Sequence, residues 1–95
     1  MNWEMVELVA KAASEDLKWV KVISLRLEFG EDAAEVHIGW GDFRRLFAGR
    51  TADVERTSSF ETLKISLPVG DYGDYHYTVV AIRKIPDVVM ESVTV

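Results

Sequence analysis

The sequence predicts an α+β fold: an N-terminal helix packed on an antiparallel β-sheet, a meander of five or six strands. Three observations carry that prediction. Apolar residues recur every three or four positions up to about residue 17 and every second position after it, a change from helical to strand period. The later apolar runs are joined by short, turn-rich links, which favour antiparallel neighbours. The 95 residues suffice for one small domain, so helix and sheet form a single unit over residues 1–95.

The helix opens the chain. Trp3, Val6, Ala10, Ala13 and Leu17 are spaced to line one helical face, and Met5, Val9 and Ala12 broaden it. Asn2 is placed to cap the first turn and Glu4 to sit in it, where negative charge is favourable. Glu7 precedes Lys11 by four residues, the favoured orientation for a helical ion pair. The period predicts a stop between Ser14 and Leu17.

Strands follow from Trp19. Ile23, Leu25, Leu27 and Phe29 alternate with Ser24, Arg26 and Glu28, the pattern of a strand with one wet face. Gly30-Glu31-Asp32 reads as a turn into a second strand, Glu35 to Trp40, with Val36, Ile38 and Trp40 on one face. Phe43 to Phe47 fits either further strand or a short helical turn, and Gly39-Trp40-Gly41 fits a bulge or tight turn. Thr51 to Ser59 is polar and reads as a loop. Phe60 to Leu67 and Tyr75 to Ile85 are strands joined through Gly70–Tyr75, and Val88 to Val95 is a last strand. Trp19 opposes Val20, and Val22 opposes Ile23. On strict alternation both sheet faces are then apolar, so a second layer or a partner is expected to cover the other one. The architecture resembles cystatin-like and other α+β folds. No motif accompanies that likeness, so no function follows from it.

Composition narrows the chemistry. There are eleven Lys plus Arg against sixteen Asp plus Glu, a net charge of −5, with 48% apolar residues and no cysteine. A disulfide scaffold, a thiolate metal site and a cysteine nucleophile are excluded. No apolar run has the roughly 20 residues of a membrane span, and the start lacks a signal-peptide pattern, so a cytoplasmic protein without membrane attachment is expected. A net acidic chain repels phosphates, so nucleic acid is a disfavoured partner.

Candidate chemistry is sparse. Glu35-Val36-His37 and Asp74-Tyr75-His76 each place an acid two residues before a histidine, on one face of a strand. Neighbouring strands would join them as a proton-transfer or metal cluster, but acids are abundant enough to place one beside most residues, so no catalytic or metal site is assigned. No serine sits in a Gly-x-Ser-x-Gly or Ser-x-x-Lys motif. Gly39-Trp40-Gly41 lacks the third glycine of a dinucleotide fingerprint, Arg44 standing in its place. No cofactor is implied.

Two segments suit recognition. Arg44, Arg45, Arg50 and Arg56 face only Asp42, Asp53 and Glu55, a local +1, with Phe43 and Phe47 interleaved. Arginine and aromatics are enriched at interfaces. Asp71-Tyr72-Gly73-Asp74-Tyr75 alternates acids with tyrosines, which give contact area at little entropic cost. The partner-binding residues expected are therefore Asp71, Tyr72, Asp74, Tyr75, Arg44 and Arg45. The function expected is a non-enzymatic protein-binding module: a small acidic inhibitor or antagonist that occupies a partner's basic surface. Immunity proteins and phage-encoded antagonists of host defence nucleases share this size and charge profile. The alternative is an assembly subunit that forms homo-oligomers through its sheet edge, the apolar Val88–Val95 segment being the edge expected.

Overall fold

The computed structural model describes residues 3–28, 33–69 and 75–85. Helix α1 spans Trp3–Asp16, strands β1 and β2 span Val22–Glu28 and Ala33–Ile38, and helix α2 spans Trp40–Leu46. Strands β3, β4 and β5 span Asp53–Arg56, Phe60–Val69 and Tyr75–Lys84. The α+β class is as the sequence predicts, with five strands among the described residues. The turn at residues 30–32 and the strand expected over Val88–Val95 lie outside them.

The sheet order is β1-β2-β5-β4-β3. All neighbours are antiparallel except β2 and β5, which run parallel with Val36 opposite Val79. The sheet is therefore mixed rather than the antiparallel meander expected. The reason is the path after β2. The chain enters α2, passes to the far edge as β3, and returns through β4 to β5, which closes on β2 from the other side. A parallel pair needs such a long crossover, here residues 39–74.

Both helices lie on one sheet face. Met5, Val9 and Leu17 from the α1 region and Phe43 and Phe47 from α2 pack in one core. The sheet contributes Ala34, Val36, Ile38, Ile65, Leu67, Val69, Tyr77, Val79 and Ala81 to it. These positions alternate along β2, β4 and β5, so the hydrophobic period places the core. The expected apolar stripe of α1 is buried through Met5, Val9 and Leu17 and partly through Val6, Ala12 and Ala13, and departs from expectation at two positions. Trp3 and Ala10 face outward, and Met5 and Val9 face inward. Alanines made the expected stripe ambiguous, since they tolerate either side.

The opposite face is largely polar, with Ile82 and Phe60 half exposed on it. Glu35, His37, Thr62, Lys64, Ser66 and Thr78 occupy it by register. Val80 is its buried apolar position, flanked in register by His37 and Lys64. The two-faced apolar strand expected after Trp19 does not form, for two reasons. Trp19 and Val20 precede β1, which starts at Val22. The β1–β2 register shifts between Val22 and Ser24, leaving Ile23 as an extra residue. That bulge returns Val22 to the side of Leu25 and Leu27.

Two further expectations are corrected. Thr51–Ser59 is not all loop: Asp53–Arg56 pairs with β4, Asp53 opposite Lys64 and Arg56 opposite Glu61. Every residue of this edge strand is exposed, Val54 included, so burial imposes no alternation on it. Gly39 is not a bulge but the residue before α2, and Phe43–Leu46 is helical. The Phe47 N–H donates to the Phe43 carbonyl and closes the turn.

Candidate functional site

An apolar shelf runs along one side of the molecule where α1 ends and β1 begins. Helix α1 packs toward β4 and β5, and α2 toward β5. Strand β1 lies at one edge of the described sheet, and its Leu27 packs against the core. Leu25 and Val22 stand on the helix-bearing side beyond helix cover and are 51% and 45% exposed. Ile23, thrown out by the bulge, is 67% exposed and Trp19 is 90% exposed. Between α1 and β1 lies a groove of about 200 Å³, lined by Ala10, Ala13, Ser14, Leu17, Val22, Leu25 and Val36. Trp3 shares the helix face of Ala10, Ser14 and Leu17 by spacing and is itself exposed. Scattered exposed apolar residues need no explanation, but a contiguous shelf beside an open strand edge has the make-up of an interaction surface.

The sequence-predicted site residues are dispersed. Arg44 and Arg45 are exposed on α2, Arg45 donating to Asp42 three residues earlier. Tyr75 is partly exposed and pairs with Val69 at one end of the β4–β5 ladder. Trp40, at the start of α2, packs under the Arg83 guanidinium at the other end, 4.4 Å from ring centroid to charge. Asp71, Tyr72 and Asp74 lie outside the described residues. No contact joins the arginines to Tyr75 among the described residues.

The arginine-rich segment divides its charges between two uses. Arg56 and Arg83 both donate to the buried Glu61 carboxylate, at 2.5 and 3.0 Å. Arg50 lies over the Phe47 ring at 5.7 Å and, with Arg44, borders a cleft of about 430 Å³ floored by Phe43, Phe47 and Leu63. Much of the sequence-level basic patch is therefore structural pairing.

The sequence makes both faces of the first strand apolar and calls for a second layer or a partner on one of them, but alternation does not say that Trp19, Ile23 and Leu25 are the ones left exposed. The one signal available was Lys21-Val22-Ile23, a break in alternation consistent with a bulge.

The histidines sit on adjacent strands and one face, yet apart. His37 is opposite Val80, four positions beyond His76 on β5, about 13 Å along the strand. His37 Nε2 lies 3.3 Å from its own Glu35. Among the described residues no three potential metal ligands converge.

A part-buried hydrogen bond ties the end of α1 to the sheet. The Tyr77 hydroxyl donates to Asp16 Oδ2 at 2.8 Å. Burial pushes the Tyr77 pKa above the usual tyrosine range, and the hydrogen bond to Asp16 and its negative charge push it the same way. The sign follows directly. An unfolded tyrosine loses its proton near pH 10, whereas folded Tyr77 keeps it, so stability falls as pH rises above about 10. Tyr77→Phe is expected to flatten this alkaline loss, read from urea midpoints near pH 8 and pH 11. An unchanged alkaline loss in the variant would place the titration elsewhere.

No protein-family model matches this chain, and no match is found among curated proteins or solved structures. No helix among the described residues is long and apolar enough to cross a membrane.

Proposed function

We propose that this chain is a non-enzymatic protein-binding module that docks its partner on the α1–β1 shelf. The observation that carries the reading is the β1 edge, unpaired among the described residues, with Val22, Ile23, Leu25 and Trp19 exposed beside an apolar groove. An edge strand offers unpaired backbone donors and acceptors, and alternate side chains supply the specificity of an added strand. The finer reading is an acidic antagonist that covers a basic surface of its partner. It is supported by the net charge of −5 and by α1, whose four acids outnumber its single lysine. Charge of this kind steers encounter and sets the salt dependence of capture.

Affinity capture from source-organism lysate tests this by comparing wild type with Leu25→Lys, whose folding is checked by circular dichroism. The wild type is expected to retain a partner that the variant loses, and rising salt is expected to weaken the capture. Purified partner is expected to protect the β1 amides from hydrogen exchange. Equal capture by both proteins, with β1 unprotected, overturns the assignment of the shelf.

A further inference from the structure

We infer that the cleft between α2 and the β3–β4 hairpin is a second binding site, which takes an acidic segment of a protein partner. A large apolar side chain of that segment lies on the cleft floor, and its carboxylates bond to Arg44 and Arg50. The cleft is at the β3 side of the described sheet, the opposite edge from the α1–β1 shelf, and the inference does not rest on the docking reading of that shelf.

Helical spacing puts Phe43, Arg44 and Phe47 side by side on α2. Leu63 of β4 and Val54 of β3 stand opposite each other in register, on the helix-bearing side of the sheet. These four apolar residues floor the cleft of about 430 Å³ that Arg44 and Arg50 border. Pairing elsewhere engages the other arginines of this region. Arg56 and Arg83 donate to Glu61, and Arg45 donates to Asp42. Arg44 and Arg50 make no ion pair among the described residues, Arg50 lying over the Phe47 ring instead. The neighbouring acids are turned away or engaged. Asp42 and Arg45 lie on another flank of α2, beside Trp19 and Val20. Asp53 and Glu55 alternate onto the other face of the sheet, where Glu55 accepts from Lys64. Asp16 lines a neighbouring cleft with Arg50, but its carboxylate is engaged by Tyr77. Glu61, the acid of β3 and β4 that does face the helices, is outnumbered by its two arginines.

Two guanidinium groups beside an apolar floor fit an anion that carries an apolar body, and the arginine fork favours carboxylates bonded through both oxygens. Nucleic acid brings the anion without the fit. A base stacks on an aromatic face, whereas Phe43 and Phe47 are buried, Arg50 covers Phe47 and Arg83 covers Trp40. The net charge of −5 also repels a polyphosphate. A small amphipathic anion is poorly held here, because the cleft is open. Val54 on its outer wall is 53% exposed, whereas small-molecule sites enclose most of their ligand's surface. A peptide segment needs no such enclosure. It sets one apolar side chain on Leu63 and Val54, brings acidic side chains to the arginines, and leaves the rest of its own protein to cover the outer wall.

The test is selection of phage-displayed random peptides of about 12 residues on the full chain, followed by fluorescence polarisation with the enriched peptides made synthetically. The enriched sequences are expected to combine Asp or Glu with a large apolar side chain. Arg44→Gln with Arg50→Gln is expected to weaken their binding by at least about 30-fold, and rising salt is expected to weaken binding to the wild type. Arg44→Lys with Arg50→Lys keeps the charge and is expected to recover part of that loss, lysine lacking the fork. Val54→Glu is expected to repel the same peptides while circular dichroism stays native. Leu25→Lys, on the shelf, is expected to leave them bound. A selection that enriches no acidic sequences overturns the inference, and so does binding indifferent to the arginine variants. Loss of binding in Leu25→Lys overturns it as well, placing the peptides on the shelf and leaving the docking reading intact. If instead a labelled thymidine oligonucleotide binds and the glutamine variant releases it, while no acidic peptide is enriched, the cleft takes nucleic acid and the inference is overturned.

Discussion

Phe43→Ala is expected to lower the stability of the fold by about 3–5 kcal/mol. Phe43 is 2% exposed and its ring lies 4.9 Å from that of Phe47, tilted by 58°. These two rings pack α2 on the core together with Trp40, which also stacks under Arg83 of β5. A helix of seven residues has no independent stability in water, so its order depends on this packing. Truncation leaves a cavity that the surrounding strands cannot fill without moving, and the transfer and cavity contributions add. Against a typical domain stability of about 5–15 kcal/mol, the variant is expected to be partly or largely unfolded near 37 °C. Urea denaturation compared with Leu46→Ala, an exposed neighbour on the same helix, measures the difference. A loss below about 1 kcal/mol, the ordinary surface range, would mean that α2 is not docked through Phe43.

Val79→Asp is expected to abolish folding at neutral pH. Val79 is fully buried at the centre of β5, opposite Val36 across the parallel seam and Ile65 across the antiparallel one. A carboxylate there loses its water and meets no cation among these core neighbours. Its ionised form costs several kcal/mol, and protonation relieves only part of that. Ser66→Lys, on the polar face of the adjacent strand, is the control and is expected to change stability by less than about 1 kcal/mol. Cooperative thermal unfolding in the control and its absence in the Val79 variant would establish which face is covered. Native-like unfolding in both would refute the placement of the two helices on the Val79 side.

The helix and the strand runs were legible because their apolar periods are local. The 3.6-residue period ends where α1 ends, and period two begins within a few residues of β1. The phase of α1 was misread at Trp3 and Ala10, because a helix rich in alanine and valine offers two adjacent apolar lines. The strand at Asp53–Arg56 was illegible because all its side chains are exposed, so no alternation was selected. Helix α2 was ambiguous because Phe43 and Phe47 suit one helical face as well as a strand. Of the candidate site, Arg44, Arg45 and Tyr75 were identified by residue type, and the structure distributes them over separate elements. Trp19, Ile23 and Leu25 could not be assigned to core or surface, because period alone cannot distinguish a strand whose apolar face is covered from one whose apolar face is bare.

What the sequence determined by itself is the α+β class and the approximate limits of α1, β1, β2, β4 and β5. Each follows from spacing within a dozen residues, which is a local property of the backbone. What only the tertiary structure decided is the strand order, the parallel β2–β5 seam and which of the described strands lie at the edges. Those depend on which strands meet after the chain has crossed over through α2. Pairing between residues some forty apart, as Val36 and Val79 are, leaves no repeat in the sequence, because the hydrogen-bonding groups that make it are the same on every residue but proline.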